Sequence, residues 1–171
     1  LSASHNDDEV SWYENLGTTR ASFSEAEHLS VGDRPFDIAL GDFNEDGNQD
    51  LAAANSDDNN ISILAGNGDG TFGAVTKFSA DDQPIVVSVG DFNGDGNQDL
   101  ATANAGSDNV SILLGSGDGT FGAAANVAVG DRPLSVSVAD FNGDGVQDLG
   151  LPNADDNNVS ILLGEPGIIP D

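Results

Sequence analysis

The sequence predicts an all-β fold, a β-propeller of four-stranded antiparallel blades, of which this chain holds about three and a half. The first observation is a repeat, because the loop at residues 42–50 returns at 91–99 and at 140–148, in two steps of 49 residues. The second is that each complete repeat contains four short strand-like runs separated by glycine-rich and Asp/Asn-rich turns. The third is that these turns come too often for helices to lie between the strands. Tandem four-stranded units of this length are typical of propeller blades.

The four strands are clearest in the repeat that begins at residue 81. The first strand, 85–89, alternates larger apolar residues with smaller ones and runs into the acidic loop. The second starts at Leu100 as a run of apolar or small residues, the third covers 110–114, and the fourth lies near 123–129. The second position of each acidic loop is aromatic and is predicted to lie in the core; these residues are Phe43, Phe92 and Phe141.

The repeat divides the chain into four blades and a tail. We predict an incomplete first blade at 1–31 with strands two to four, blades with the first and second loops at 32–80 and 81–129, an incomplete last blade with the third loop at 130–164, and a tail at 165–171. Open blades expose unpaired strand edges. The expected partners are therefore the rest of a longer parent chain or copies of this chain. Leu1 in place of methionine indicates a processed or excised piece, and Pro152 removes a ladder donor, which weakens the last blade or marks it as terminal.

The repeated acidic loop carries side-chain oxygens at positions 1, 3, 5 and 9 and a glycine at position 6. Calcium takes six to eight oxygen ligands, and alternate residues of a tight loop can aim their oxygens at one point. The loop resembles the first half of an EF-hand, although its closing carboxylate comes earlier and leads into a strand. The sequence therefore predicts three structural Ca²⁺ sites, in which position 7 gives its backbone carbonyl. The predicted ligands are Asp42, Asn44, Asp46, Asn48 and Asp50; Asp91, Asn93, Asp95, Asn97 and Asp99; and Asp140, Asn142, Asp144, Val146 and Asp148. The alternative is a hydrophilic turn that binds nothing, but three copies in one register favour the metal site.

Three further patterns each have a functional and a structural interpretation. The Asp/Asn turn at 57–60 could form a second metal site, but its place between strands favours a hairpin turn. The glycine-rich loop at 66–73 could hold phosphate, but no lysine or helix follows it, which favours a hairpin with a packed phenylalanine. Asn-x-Ser recurs at one place in each repeat, either as a glycosylation site or as a copied turn-plus-strand pattern. The asparagines of this pattern are Asn60, Asn109 and Asn158.

No group of residues in the sequence predicts catalysis. His5 and His28 have no counterparts in the other repeats and are expected at the surface. Trp12 and Tyr13 alternate on one strand, so one is expected in the core and the other is a candidate surface for stacking a sugar. The many acids lie in turns, whereas a general acid needs a pKa raised by burial. The sequence therefore predicts a protein that is not an enzyme, with a carbohydrate or a protein as its candidate ligand.

The charge balance excludes two classes of partner. Among 171 residues, 4 are Lys or Arg and 30 are Asp or Glu, which gives a formal net charge of −26. Such a surface repels nucleic acid and anionic membranes. The chain has no cysteine and no apolar run long enough for a membrane span, and its composition suits an extracellular or cell-surface protein in calcium-bearing or saline water. Arg34 and Arg132, at the same turn two repeats apart, are expected to pair with neighbouring acids.

The order of motifs resembles that of a known repeat family. Phe-Gly is followed by a Gly-Asp-Arg-Pro turn, at 32–35 and 130–133, and then by D-F-N-G-D-G-x-x-D-L. This order is similar to that of the FG-GAP/VCBS repeat, which builds the propeller of integrin α chains and of many secreted bacterial proteins. The resemblance covers nearly the whole chain. It implies a calcium loop on each motif-bearing blade, a seven-bladed propeller in well-known members, and a role in adhesion, in carbohydrate binding or as a scaffold beside a catalytic domain.

Three functional hypotheses follow. The first is an extracellular calcium-binding repeat module for binding, adhesion or assembly, in which Ca²⁺ is structural. The second is a self-assembling subunit that neighbouring chains complete, as a fibre or as a closed dimer. The third is the non-catalytic scaffold of a secreted enzyme that acts on polysaccharides.

Overall fold

The computed structural model describes residues 2–4, 8–13 and 27–164, and these residues form β-strands and turns without a helix. His5, Arg20 and the predicted tail at 165–171 lie outside the described residues. The strands of the described part are β1 Ser2–Ser4, β2 Glu9–Trp12, β3 Glu27–Ser30, β4 Pro35–Gly41, β5 Asp50–Asn55, β6 Asn60–Leu64, β7 Thr76–Ser79, β8 Pro84–Gly90, β9 Asp99–Asn104, β10 Asn109–Leu113, β11 Ala125–Ala128, β12 Ser137–Ala139, β13 Asp148–Asn153 and β14 Asn158–Leu162.

The strands form four antiparallel sheets, within which each strand pairs with the next one along the chain. Blade 1 is β1–β3, blade 2 is β4–β7, blade 3 is β8–β11 and blade 4 is β12–β14. Two four-stranded sheets therefore lie between two three-stranded ones in the described part of the chain. The predicted fold class, a partial propeller of four-stranded antiparallel blades, is confirmed.

The second strand of blades 2 and 3 is buried along its whole length. No residue of β5 or β9 is exposed. Ala52, Ala53 and Ala54 have no accessible surface at all, since blades lie against both faces of their sheet. Small side chains let the neighbouring sheets approach closely on both sides. This packing explains why the sequence has a run of small residues after each acidic loop.

Three hydrophobic clusters lie between consecutive blades and form the core. In the cluster between blades 2 and 3, Ile61 and Ile63 of blade 2 pack in one group with Val87, Leu100 and Leu113 of blade 3. The other two clusters follow the same plan. Val10, Val31, Leu51, Ala53 and Leu64 join blades 1 and 2, and Phe92, Ala101, Ala103, Val110, Val136, Leu149 and Leu151 join blades 3 and 4. The core is thus a series of interfaces between sheets rather than one central cluster.

The aromatic residues of the acidic loops are buried only where another blade follows. The Phe43 ring packs edge-on against Phe121 of blade 3, with 5.5 Å between ring centroids. Phe43 and Phe92 are 2% and 8% exposed, as predicted. Phe141 is 50% exposed, so the prediction that it lies in the core is wrong. No described blade follows blade 4, and the ring has no neighbouring sheet to pack against.

The first strand of blade 4 is short because of a proline. β12 has three residues, whereas β4 and β8 have seven each. Pro152 of β13 lacks the N–H that a regular ladder would direct to the first strand. Its carbonyl still accepts a hydrogen bond from the Leu134 N–H at 3.2 Å, but only an isolated bridge joins Pro133 to Asn153 beyond it. The shorter first strand agrees with the expected loss of a ladder donor at Pro152.

Candidate metal loops

Each of the three acidic loops joins the first strand of its blade to the second. Loop A (42–50) follows β4, loop B (91–99) follows β8 and loop C (140–148) follows β12, and the last residue of each loop begins the next strand. The loops therefore lie at the same end of their blades. The sequence places a charged loop there because the strands on either side are fixed by the core, and the loop itself needs only turn residues.

The glycine at position 6 is required by the backbone conformation and not by a lack of room for a side chain. Its φ is +86° at Gly47, +92° at Gly96 and +90° at Gly145, all in the left-handed region. A Cβ at these positions would meet nothing within 4 Å. Glycine adopts this conformation without the steric cost that an L side chain carries. Glu45, at position 4 of loop A, has a φ of 56° and occupies the left-handed region without being glycine.

The carboxylate at position 1 accepts hydrogen bonds from backbone N–H groups of its own loop. In loop A, Asp42 Oδ1 accepts the Asp46 N–H at 3.0 Å, and its Oδ2 accepts the Gly47 N–H at 2.9 Å. Loops B and C repeat both bonds and add a third, from the N–H at position 4. These N–H donors, Gly145 foremost, lower the pKa of Asp140. These hydrogen bonds orient the position-1 carboxylate, and its remaining lone pairs are available to a cation.

The oxygens at positions 1 and 3 lie side by side. The Asp46 N–H donates to Asn44 Oδ1 at 3.0 Å as well as to Asp42 Oδ1. Asn44 Nδ2 donates to Asp46 Oδ2 at 3.1 Å, and Asp46 Oδ1 accepts the N–H of Asn48. Loops B and C have the same bonds. In loop B the Asn97 N–H, followed by the side-chain amide of position 3, lowers the pKa of Asp95.

The aspartate at position 9 is buried and accepts hydrogen bonds from two different connections of its blade. We call this side chain the clamp. Asp50, Asp99 and Asp148 are at most 1% exposed. In loop B, Asp99 Oδ2 accepts the Phe92 N–H at 2.9 Å and Oδ1 accepts the Gly115 N–H at 2.8 Å. Loops A and C repeat this pair of bonds. Burial raises the pKa of Asp99, although the N–H groups of Gly115 and Phe92 oppose the shift. Position 9 thus ties the loop to the connection after the third strand.

The ligand pattern of the loop predicts only a metal role for position 9 and does not indicate this clamp. A signal for it exists, because a glycine follows position 9 by sixteen residues in all three repeats. These glycines are Gly66, Gly115 and Gly164. At Gly66 and Gly115 a Cβ would lie 2.1 Å from a backbone carbonyl of the acidic loop, so only glycine allows the N–H to approach the carboxylate.

The oxygens of positions 1, 3 and 5 and the carbonyl of position 7 form a donor set that suits Ca²⁺. In the described part of the chain, no three acidic or histidine side chains form a ready-made cluster. Within each loop, an asparagine at position 3 separates the aspartates at positions 1 and 5. The aspartate at position 9 accepts hydrogen bonds from backbone N–H groups instead of joining the other two. A bound Ca²⁺ would be held by two carboxylates, an amide oxygen and a main-chain carbonyl. The ion would replace the hydrogen bond that Asn44 Nδ2 donates to Asp46 Oδ2, and it would neutralise the two carboxylates.

A glutamine at position 8 links loop B to loop A and loop C to loop B. Gln98 Oε1 accepts the Asp42 N–H at 2.8 Å, and Gln147 Oε1 accepts the Asp91 N–H at 2.7 Å. The Gly119 N–H of blade 3 also donates to the Phe43 carbonyl at 2.8 Å. The sequence pattern gave no indication of this role. The loops are therefore connected in series through direct hydrogen bonds.

Three acids of the hairpins between second and third strands are paired with cations of the chain. Lys77 Nζ lies 2.8 Å from Asp58 Oδ2, and Arg34 Nη1 lies 3.1 Å from Asp57 Oδ1. Arg132 Nη1 is 3.7 Å from an oxygen of the equivalent Asp155. The expected pairing of Arg34 and Arg132 with acids is confirmed. These contacts favour the hairpin interpretation of this turn over a second metal site.

The glycine-rich loops form hairpins. In the first loop the Gly73 N–H donates to the Ala65 carbonyl at 2.7 Å, and Asp69 Oδ1 accepts both the N–H and the hydroxyl of Thr71. The hydroxyl, followed by the N–H, lowers the pKa of Asp69. In the second loop Phe121 is 8% exposed and lies in the core between blades 2 and 3. The predicted hairpin with a packed phenylalanine is confirmed in this copy.

The candidate glycosylation asparagines take part in hydrogen bonds inside their blades. Asn60, Asn109 and Asn158 each accept a hydrogen bond at 2.7 Å from the asparagine that ends the preceding strand. Asn109 is 9% exposed, and its Nδ2 donates to Asp81 Oδ2 at 2.7 Å. A glycan on that nitrogen would break this bond and open the packing around it. Asn158, in contrast, is exposed.

The remaining candidates lie in blade 1. Tyr13 is 44% exposed, and the side chain of Trp12 is outside the described residues. His28 Nδ1 lies 2.9 Å from Glu9 Oε2, with its side chain more than half exposed, as expected for a surface histidine. In the part of the chain that the structure describes, no helix is long and apolar enough to cross a membrane.

Comparison with known proteins shows which structures and which family this chain is similar to. Among solved structures, the chain is similar to a chain of the Photorhabdus luminescens Tc holotoxin pore, with a TM-score of 0.52 and 20% identity, over 91% of this chain and 8% of that one. It is also similar to a chain in the crystal structure of TcdB2-TccC3, with a TM-score of 0.47 and 22% identity, over 67% of this chain and 6% of that one. The first likeness concerns the fold, and this chain spans less than a tenth of either chain. No curated protein matches the chain. The model of the FG-GAP-like repeat matches three times, at residues 1–53, 42–102 and 91–151, and the chain therefore belongs to the FG-GAP-like repeat family.

Proposed function

We propose that the chain is an extracellular propeller module that binds three structural Ca²⁺ ions and acts as a non-catalytic scaffold for binding, adhesion or assembly. The observation that carries the proposal is that all three loops hold the oxygens of positions 1, 3 and 5 with the same hydrogen bonds. Two carboxylates close together on a chain of net charge −26 repel each other, and a bound cation would remove this repulsion. Membership of a repeat family supports the role of a scaffold.

The proposal predicts a moderate affinity and a gain in stability. Extracellular calcium modules bind with Kd on the order of 10⁻⁴–10⁻³ M. At a free Ca²⁺ concentration of about 10 to 100 times Kd, each site would add roughly 1.4–2.7 kcal/mol to the free energy of unfolding. Calcium binding in loop B would also stabilise loop A, because Gln98 Oε1 accepts the N–H of Asp42, the first ligand of loop A.

The experiment is a count of bound ions by native mass spectrometry together with thermal unfolding in Ca²⁺, in Mg²⁺ and in EDTA. The unchanged chain should bind three ions, and Asp46→Asn should bind two and lose about a third of the calcium-dependent rise in Tm. Asp69→Asn removes the same charge from the exposed glycine-rich loop and should still bind three. No bound Ca²⁺ at millimolar concentrations, or an equal loss from both variants, would refute the calcium proposal.

Completion by other chains is a second candidate, supported by the surface of blade 4. Val159, Ile161 and Leu163 are 62%, 51% and 57% exposed. Ile61 and Ile63, the blade 2 equivalents of Val159 and Ile161, are buried in the cluster between blades 2 and 3. A solved structure with a similar fold is that of a Tc holotoxin pore. Light scattering of the purified chain tests this candidate, since a single-chain mass at high protein concentration would exclude self-assembly.

A further inference from the structure

The glycine-rich loop of blade 3 (115–122) contacts two acidic loops at once. On its own blade, the Gly115 N–H donates to Oδ1 of Asp99, in loop B, at 2.8 Å. Toward the preceding blade, the Gly119 N–H donates to the carbonyl of Phe43, in loop A, at 2.8 Å. Both donors belong to one short hairpin, so loops A and B are attached to the same piece of backbone.

Side chains of both acidic loops lie close to this hairpin. A Cβ on Gly117 would lie 2.6 Å from Oδ1 of Asn97, at position 7 of loop B, and 3.3 Å from Oε1 of Glu45, at position 4 of loop A. A Cβ on Gly119 would lie 3.5 Å from the Cβ of Asn44, at position 3 of loop A. The glycines therefore allow residues of two candidate metal sites to approach one hairpin.

A glutamine side chain makes a second connection between the acidic loops. Gln98, at position 8 of loop B, lies between the residue whose carbonyl is a candidate ligand and the clamp. Its Oε1 accepts the N–H of Asp42, the position-1 residue of loop A, at 2.8 Å. Gln147 of loop C makes the same bond to Asp91 of loop B at 2.7 Å. Each bond thus joins the ligand end of one loop to the first ligand of another.

The residue before each acidic loop decides whether a glutamine can reach that loop. A Cβ on Gly41 would lie 2.3 Å from Gln98 Oε1, and one on Gly90 would lie 2.5 Å from Gln147 Oε1. Blade 4 has Ala139 at this position, and its methyl group fills the space that such a glutamine would need. Loops A and B therefore accept a link of this kind, whereas the sequence of blade 4 leaves no room for one.

An empty and a filled loop B differ in how firmly position 8 is held. Without a cation, the carboxylates of Asp91 and Asp95 repel each other, and hydrogen bonds from backbone N–H groups oppose this repulsion. A cation between them would also draw in the carbonyl of Asn97, next to Gln98. With position 7 fixed on one side and the clamp on the other, the glutamine is directed at the N–H of Asp42. A filled loop B thus favours the conformation of loop A that presents its first ligand.

We propose that loops A and B bind Ca²⁺ cooperatively and that Gln98 is the positioning residue that couples them, with Gln147 in the same role between loops B and C. This inference rests on the proposed function, because it requires Ca²⁺ in the loops. Coupling between binding sites is reciprocal, so an ion in loop A raises the affinity of loop B by the same factor. Both glutamine bonds join neighbouring blades, and we therefore expect little direct coupling between loops A and C.

The experiment follows Ca²⁺ binding at each loop separately by NMR, in titrations of the full chain. The amides of Gly47, Gly96 and Gly145 report on loops A, B and C, because each N–H donates to the position-1 carboxylate of its own loop. Asp95→Asn removes a ligand of loop B and should weaken binding at loop A about fivefold or more. Asp144→Asn removes the equivalent ligand of loop C and is the matched control; it should weaken binding at loop B and leave loop A within about twofold.

Gln98→Ala distinguishes coupling from simple support of loop A. Gln98 is an exposed residue, so its truncation leaves no cavity in the core. In the otherwise unchanged chain it should weaken binding at loop A about fivefold or more. Added to Asp95→Asn, it should weaken loop A by less than about twofold further, because the coupling is already lost.

The outcomes separate this inference from the calcium proposal itself. Three loops that bind Ca²⁺, each with an affinity unchanged by variants of its neighbours, would overturn the coupling and leave the calcium proposal standing. Binding at none of the loops would overturn both. An equal loss at loop A from Gln98→Ala in the two backgrounds would also overturn the coupling, since the glutamine would then support loop A whether or not loop B is filled.

Discussion

At the scale of single residues, the position-9 aspartates contribute more to the fold than their place in a metal motif indicates. A buried carboxylate is costly unless hydrogen bonds compensate for the lost water. Each oxygen of Asp99 accepts one backbone N–H, from Phe92 and from Gly115. The two donors come from different connections of the blade, so one side chain fixes the acidic loop against the end of β10. The same side chain is thus required whether or not a metal is bound.

We expect Asp99→Asn to lower the free energy of unfolding by about 1–3 kcal/mol, because the amide nitrogen would face a backbone N–H and leave it without an acceptor. Urea unfolding in EDTA measures the change, and Asp118→Asn, in an exposed turn, is the control with little effect. The pH dependence has a definite sign. Burial raises the pKa of Asp99 above 3.8, so the pH-dependent part of its contribution is complete below 3.8 and is lost as pH rises through the folded-state pKa. The two hydrogen bonds from backbone N–H groups remain in the ionised form, so a smaller contribution persists at neutral pH. The difference between the native protein and Asp99→Asn should therefore shrink as pH rises, and a variant as stable as the native protein at neutral pH would contradict the clamp.

The sequence was sufficient for the residues that act within one loop and insufficient for those that act between elements. Asp42, Asn44 and Gly47 hydrogen-bond or turn within a few residues, so their spacing already describes their role. The partner of Asp50 at Gly66 and the reach of Gln98 to Asp42 depend on how strands and blades pack. A repeat pattern also assumes that every copy has the same neighbours. That assumption failed at Phe141, because no described blade covers it.

At the scale of elements, the end of each first strand is shaped by the blade that follows. A Cβ on Gly90 would lie 2.5 Å from Gln147 Oε1 and 2.5 Å from the Phe92 ring. Such contacts require the neighbouring blade to move or the ring to rotate. The glycine is thus needed for a close approach between blades. Its counterpart in blade 4 is Ala139, where no described blade approaches.

We expect Gly90→Ala to destabilise the chain by about 1–3 kcal/mol through overpacking of the interface between blades 3 and 4. Ala139→Gly makes the reverse change in blade 4 and should cost only about 0.5–1 kcal/mol, from the backbone entropy of glycine in a strand. Urea unfolding of both variants gives the comparison. Adding Gln147→Ala to Gly90→Ala should recover part of the loss, because one of the two clashing groups is removed. If Gly90→Ala costs no more than Ala139→Gly, the glycine is not required by the neighbouring blade.

At the scale of the whole molecule, the described blades follow one another in series, but their hairpin acids have different charged neighbours. In blade 2 the hairpin acid Asp58 has the Lys77 ammonium beside it, which is the main cause of its lowered pKa. In blade 4 the equivalent Asp156 faces Asp131, whose pKa is raised by this neighbour and by Asp108. Two positions with the same backbone role therefore have opposite electrostatic environments. The difference arises from the presence or absence of a fourth strand in the described residues.

Asp131→Asn should consequently raise Tm at neutral pH. The ionised Asp131 carboxylate repels its neighbours, and because its folded-state pKa is raised above 3.8, its stabilising contribution is complete below 3.8 and is lost as pH rises through that pKa. The gain from the substitution should thus disappear as the pH falls below 3.8, where both states are protonated. It should also fall to about half or less in roughly 1 M NaCl, since the Debye length is then only about 3 Å. Asp33→Asn, at the equivalent turn of blade 2, is the control and should give a smaller rise or a loss, because Lys77 and Arg34 lie close to the acids there. Equal gains in Tm from the two variants would show that the repulsion comes from the excess negative charge of the whole chain and not from the acids around Asp131 in blade 4.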